Sequence, residues 1–340
     1  MPTLEKNIIT PDAATGLVQG SYASVTEMLP LSAVLTDSNA DNPTSVSWTP
    51  NKRRDQRMAD FTAFGANLPY TRQNTQQTAM AGLLKLGVRE MVGERDIAVH
   101  GATPEFLRNK LQAYLTQIGT EIAWRVESAR LSTLFDAKFS VQNTVYDYGR
   151  DKAHEVSLAV AKKWDATGVD PVADILGWQN LVRKNTGVKP TVFITTSDVL
   201  DILAENPQFI AHIPNYVAKP SRIGRDDVEA ILRNMCAIDS IVVLDEMYSG
   251  LGVRLPEGFT VPEKTVLLAP NLAAYELGRT VFGATAAAQS AEYGINNPNG
   301  VGLVGYVTAD SVPVTYDAVG EGTVLPVLEN ADLTLKAVVA

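Results

Sequence analysis

Residues 103–137 carry a helical pattern long enough to dictate what surrounds them. Thr103 suits the N-cap, where a hydroxyl accepts from an otherwise unpaired N–H of the first turn. Pro104 suits the first helical position, and Glu105 puts negative charge at the positive end of the helix dipole. Leu107, Leu111, Leu115, Ile118, Ile122, Val126 and Ala129 then recur at three- and four-residue spacing, the signature of one buried helical face. At 1.5 Å per residue such a helix is roughly 45–50 Å long, the width of a domain. With a single apolar stripe it needs other elements laid along it, so it predicts a spine. Gly119 within it costs about 1 kcal/mol relative to alanine and allows a bend there.

The segments around the spine differ in kind. Residues 1–43 are rich in Thr, Ser, Asn, Asp and Ala with short apolar stretches only, which predicts an extended arm without a core of its own. Residues 44–71 pair two β-capable flanks with a charged tip containing Lys52, Arg53, Arg54, Asp55 and Arg57, the pattern of a long projecting loop. Residues 83–92 fit a helix or a strand equally. Residues 139–148 alternate as a half-buried strand, with 156–164 as a pairing partner. Pro171 opens a helix that ends at Gly187. Residues 191–195 then form a buried strand, and Ser197 or Asp198 caps a helix over 199–205. A helix over 225–235, strands at 241–244 and 265–269, and a β-rich tail over 312–339 follow. Interleaved helices and short strands followed by a strand-rich tail describe an α+β fold with one unit inserted in another.

Several function classes are disfavoured by composition. A net charge of -9 opposes electrostatic wrapping of nucleic acid, which needs clustered Lys and Arg. A lone cysteine, Cys236, excludes an intramolecular disulfide, and His100, His154 and His212 are too dispersed to suggest a metal site. No apolar run reaches the roughly 18 residues of a membrane span, and residues 1–20 lack the apolar core of a secretory signal, so a cytosolic site of synthesis and assembly is expected.

The local motifs each have a bland alternative. Gly300, Gly302 and Gly305 spell GxGxxG, the spacing of a dinucleotide loop and the basis of a nucleotide-binding enzyme as one rival reading. That loop needs a strand before it and a helix after it, whereas NNPN precedes and an extended segment broken by Pro313 follows, so a turning glycine segment is preferred. Neighbouring carboxylates Asp226 and Asp227, and Asp245 and Glu246, point in different directions and make poor acid/base dyads. Asp226 and Asp227 suit the start of a helix. Trp124, Trp164 and Trp178 suit core or interface anchors, and Cys236 a buried thiol. Lys52, Arg53, Arg54 and Arg57 are the densest basic cluster, fitted to acidic surface on a neighbouring subunit, with a solvated tip or nucleic-acid contact as alternatives. No catalytic residue, cofactor site or metal site is expected.

Ordered blocks carry a more specific signal. RVESARLSTLFDAKFSV, YDYGRDKAHEVSL, KKWDATGVDPVADILGWQNLV and TGVKPTVFITTSDVLDIL, followed by LPEGFTVPEKTVLLAP and SVPVTYDAVGEGTVLPVLENADLTLKAVV, resemble the lambda-type major capsid proteins of tailed phages in order over residues 101–339. The resemblance implies a Hong Kong 97-like capsid fold. Residues 1–43 would be the N-terminal arm, 44–71 the extended loop, 72–167 and 306–340 the peripheral domain with its spine at 103–137, and 168–305 the axial domain. It further implies a non-enzymatic subunit of hexamers and pentamers in an icosahedral virion shell that encloses double-stranded DNA without reading its sequence. Only 43 residues precede the loop, so a separate scaffolding protein, or an extension already removed, is implied, with a portal and a decoration protein as further partners. An encapsulin-like compartment shares the fold and stands as the alternative.

Overall fold

The computed structural model describes residues 3–49, 78–141, 143–213, 220–295 and 302–340. The chain begins with β1 (Thr3–Glu5), α1 (Pro11–Met28), β2 (Leu35–Asn39), β3 (Ser45–Trp48), β4 (Ala79–Gly82) and β5 (Leu84–Val92). It continues through α2 (Glu94–His100), α3 (Pro104–Asp136), β6 (Lys138–Val141), β7 (Thr144–Asp147) and β8 (Glu155–Ser157). The middle holds α4 (Pro171–Thr186), β9 (Val192–Thr195), α5 (Ser197–Glu205), α6 (Pro207–Ile210), α7 (Arg225–Cys236), β10 (Ser240–Val243) and α8 (Leu244–Gly250). The last part holds β11 (Thr265–Ala269), β12 (Gly278–Gly283), α9 (Ala286–Gln289), β13 (Leu303–Ser311), β14 (Val314–Val327) and β15 (Leu335–Val338).

The spine α3 runs for 33 residues, with Thr103 accepting from the Phe106 N–H and Ala137 ending it in the left-handed region. All seven residues of its apolar stripe are buried. Gly119 marks no break in α3; it is where α1 crosses. A Cβ there would lie 2.5 Å from the Val18 carbonyl oxygen and 2.8 Å from Ser21 Cβ.

Contrary to the expected extended arm, residues 11–28 form the helix α1, packed on α3 and on β13. Thr10 caps it, Pro11 opens it, and Ala14, Val18, Tyr22 and Thr26 form a buried stripe at four-residue spacing. That stripe is weakly hydrophobic because it is built of small and hydroxyl side chains, which is why composition alone suggested a segment with no core. Polar bonds hold it instead. The Thr15 hydroxyl accepts from the Gly305 N–H and donates to the Gly305 carbonyl, both at 3.0 Å. Gln19 donates to the Leu303 carbonyl at 2.7 Å, and the Ser21 hydroxyl to Thr116 on the spine at 2.6 Å.

One sheet has the order β1-β13-β14-β12-β2, with β5 added along β14. Residues 84–92, undecided between helix and strand, are thus a strand, since β14 offers its backbone over Tyr316 to Val324. The other sheet has the order β10-β9-β11-β15-β8 and carries the second core, with Trp164 and Trp178 stacked 5.7 Å apart. The sheets divide the chain differently from the boundary expected at 168 and 305. β12 pairs with β14 and β2 in the first sheet, and β15 pairs with β11 and β8 in the second. β6 and β7 pair antiparallel with each other, and β8 pairs with β15 and with neither of them. Strand partners are chosen across hundreds of residues, and a one-dimensional pattern does not contain that choice.

Candidate assembly surfaces

Residues 50–77, most of the segment expected to be an extended loop, lie outside the described residues, but the strands on either side of them form a closed stem. β3 and β4 pair antiparallel from Ser45 against Gly82 to Trp48 against Ala79. Val46 and Trp48 point inward, Trp48 lying 5.8 Å from the Tyr148 ring, and Met80 points to solvent. Thr49 and Thr78 close the stem with hydroxyls 3.3 Å apart. Lys52, Arg53, Arg54 and Arg57 lie outside the described residues.

A polar network buried beside the spine joins the N-terminal segment to both sheets' surroundings. Glu127 and Arg130 sit one helical turn apart on α3, both fully buried. Glu127 accepts from the Leu31 N–H at 3.0 Å, the Tyr248 hydroxyl at 2.9 Å and Arg130 at 3.3 Å. Arg130 also donates to Asp37 on β2 and, at 2.9 Å, to Thr280 on β12, whose hydroxyl donates to the Leu35 carbonyl. Tyr22 of α1 donates to Asp37 at 2.8 Å. Burial pushes the Glu127 carboxyl above its ordinary range, opposed by Arg130 and the Leu31 N–H, and burial likewise raises Tyr22 and Tyr248. Tyr248 lies on α8, which follows β10 of the second sheet directly, yet its ring packs with Phe259 and with Trp124 of the spine. It therefore pins one unit to the other. Losing one partner of such a buried pair costs about 3–5 kcal/mol, because the other charge is left uncompensated. Sequence reading missed this network. The available signal was a Glu and an Arg three residues apart on α3, where the burial broadens beyond the original stripe.

The end of the spine is held by a second buried cation. Arg150 donates to the Phe135 carbonyl at 2.7 Å and the Leu134 carbonyl at 2.6 Å, satisfying acceptors that a helix C-terminus leaves unpaired. Burial pulls its guanidinium down to about 10. A cleft of about 640 Å³ beside this end is lined by Ser132, Asp136, Lys138, Glu155 and Lys336, with Asp136 and Lys336 paired at 2.6 Å. It brings two carboxylates and two ammonium groups together without a nucleophile and base in contact.

The remaining motifs resolve into structural roles. Gly300 lies outside the described residues, and Gly305 is a strand residue whose missing Cβ admits α1, since a Cβ would come 2.6 Å from the Ala14 carbonyl oxygen. No helix follows it, so the phosphate-cradling geometry is not formed. Asp226 and Asp227 occupy the first turn of α7, as expected. Asp245 accepts from the Ser197 N–H at 2.9 Å and from its hydroxyl, anchoring the start of α5 from a distance where neither Ser197 nor Asp198 acts as the cap. Glu246 pairs with Arg225. Cys236 is buried, and burial pushes its thiol up to about 12. His212 faces Asp170 at 3.3 Å, while His154 is buried with Nε2 3.0 Å from Asn185. Among the described residues no group of three His, Cys, Asp or Glu side chains could hold a metal ion, and no helix is long and apolar enough to cross a membrane.

The sequence pattern of the family described as phage major capsid protein E matches residues 62–239, just over half of the chain. The chain belongs to that family. Two solved structures share its fold from end to end. One, a phage-related protein from Bordetella bronchiseptica RB50, is 11% identical and aligns over 99% of this chain and 97% of its own, with a TM-score of 0.53. The other, assigned as the capsid protein of a prophage in E. coli CFT073, is 11% identical over 100% of both chains, with a TM-score of 0.57. No curated protein sequence matches the chain. This capsid subunit is thus a shell-forming structural protein with the α+β fold of phage capsid proteins, and its family is not one of enzymes. Its place is the virion capsid, and its principal partner is itself. Its working surfaces are therefore contacts between copies.

Proposed function

We propose that this capsid subunit builds hexamers and pentamers of an icosahedral shell around double-stranded DNA, and that the basic cluster Lys52, Arg53, Arg54 and Arg57 holds one subunit to the next. The stem closed by Thr49 and Thr78 supports this most directly. The chain leaves the described fold at Thr49 and returns at Thr78, the two hydroxyls lying 3.3 Å apart. In this reading the unit on the six-stranded sheet is peripheral, and the unit on the five-stranded sheet lies near the capsomer axis. The net charge of -9 leaves acidic surface on each neighbour for the cluster to meet, and suits a wall that contains DNA without gripping it. A separate scaffolding protein and a portal act with it during assembly in the host cytoplasm, with a decoration protein as a further partner.

Electron microscopy after co-expression with neighbouring head genes tests the proposal. Closed isometric particles are expected from the unaltered chain. A variant carrying Lys52→Glu, Arg53→Glu, Arg54→Glu and Arg57→Glu is expected to keep its melting profile and lose closed particles. Normal shells from that variant would refute the role given to the cluster.

A further inference from the structure

Two of the connections between the sheets are tied to each other. The turn Lys152–His154 carries the chain from β7 to β8, and the turn Ala331–Leu333 carries it from β14 to β15. The Asp151 N–H donates to the Asp332 carboxylate at 2.8 Å, which joins one connection to the other. Tyr148, at the start of the first, donates to the Pro326 carbonyl of β14, and Arg150 binds the end of the spine. The turn Lys152–His154 also packs on α4, β8 and β15. Spine, first sheet and second sheet thus meet at one joint.

His154 sits fully buried in this joint. With the Asn185 amide nitrogen of α4 as donor 3.0 Å away, Nε2 accepts, and the proton of the neutral ring belongs on Nδ1. Nδ1, beside the Asp332 backbone, is buried without a hydrogen-bond partner. The joint as built therefore fits a neutral imidazole. A second ring proton would displace the Asn185 donor and bury a cation near Arg150, a like charge. The carboxylates that favour that cation are Asp332, from the other connection, and Asp151. Of the neighbouring strands, β8 brings Glu155, whose charge acts on Arg150, and β15 brings Lys336, which is paired with Asp136. The Asp332 carboxylate is already engaged by the Asp151 N–H, so a charged His154 competes for the group that ties the connections together.

We propose that His154 is an acid-sensitive latch: its protonation draws the Asp332 carboxylate from the Asp151 N–H, parts the two connections and lets the two sheets move relative to each other. Histidine is the side chain whose charge changes in mild acid. Burial holds this ring below its ordinary pKa, so the latched joint favours the neutral form and acid favours the open one. The device lies within one subunit, and it stands or falls independently of the shell reading.

Amide exchange of the unassembled subunit at about pH 7 and about pH 5.5, corrected for the intrinsic rate at each pH, tests the latch. In the unaltered chain, exchange in residues 148–158 and 328–336 should rise at least about tenfold in acid, the equilibrium factor for losing one hydrogen bond to a charged group. Residues 107–126 of the spine should not change. His154→Gln, which does not titrate and keeps a partner for Asn185, should abolish the rise. Absence of the rise in the unaltered chain would overturn the inference. So would a rise that survives in His154→Gln, or one shared equally by the spine, which would mean loosening of the whole fold. Asp332→Asn tests the same step without touching the histidine. It keeps an acceptor for the Asp151 N–H, removes the charge that His154 would draw, and should cut the rise to about twofold or less. A full rise in that variant would refute the part given to Asp332 and, with it, the latch.

Discussion

Replacing Gly119 with alanine pits two effects of opposite sign against each other. In an isolated helix the change stabilises by about 1 kcal/mol, because alanine loses less backbone entropy on folding. Within the spine, the new Cβ falls 2.5 Å from the Val18 oxygen, 2.8 Å from Ser21 Cβ and 3.1 Å from the Tyr22 nitrogen. Two of these three neighbours are backbone atoms of α1, so no side-chain rotation relieves them. The helix must move away, and the bonds that hold it there are short ones. Ser21 to Thr116 at 2.6 Å lengthens first, with Thr15 to Gly305 at 3.0 Å next. Overpacking of this kind costs about 1–3 kcal/mol, and each weakened hydrogen bond about 1 kcal/mol. Set against the propensity gain, Gly119→Ala should destabilise the unassembled subunit by about 1–2 kcal/mol. Urea denaturation measures the change, and amide exchange should show faster exchange in residues 11–28 in particular. A stabilisation of about 1 kcal/mol would refute the argument, since it would mean that α1 does not dock on Gly119.

Three further outcomes follow from the buried polar groups. Arg150→Met leaves the Leu134 and Phe135 carbonyls without their donor and should cost about 2–4 kcal/mol in a denaturant titration. Tyr248→Phe removes one of the donors to buried Glu127 and should cost about 1–3 kcal/mol, with increased proteolytic sensitivity around residues 244–264. His154 is held below its ordinary pKa, by burial first, so the folded chain binds its proton less readily than the unfolded chain does. The stability this contributes is present above the unfolded value of about 6.5 and is lost as pH falls through the folded value. Melting temperatures of His154→Gln should therefore decline less between about pH 7 and 5 than those of the unaltered chain, and parallel curves would contradict the assignment.

What the sequence by itself determined was local. The spine is legible because its cap, its first-turn proline and its apolar stripe all lie within one continuous stretch whose period is set by the α-helix. The helix opened by Pro171 and ended by Gly187, and the buried strands at 192–195 and 265–269, are legible for the same reason. The tertiary structure decided the rest. Residues 11–28 become a helix packed on the spine because Gly119 and Gly305, nearly two hundred residues apart, let the α1 backbone approach closely, and a stripe of mostly small and hydroxyl-bearing side chains is too weakly apolar to signal burial. Residues 84–92 become a strand because β14 supplies a partner, and the last strand joins the second sheet because β11 and β8 receive it. Glu127, Arg130, Asp37, Tyr22 and Tyr248 form one network only once four segments, α1, β2, α3 and α8, meet. A charge on a helix face is ambiguous in one dimension, since solvent and a buried partner satisfy it equally, and only the packing of the other chain segments removes the solvent.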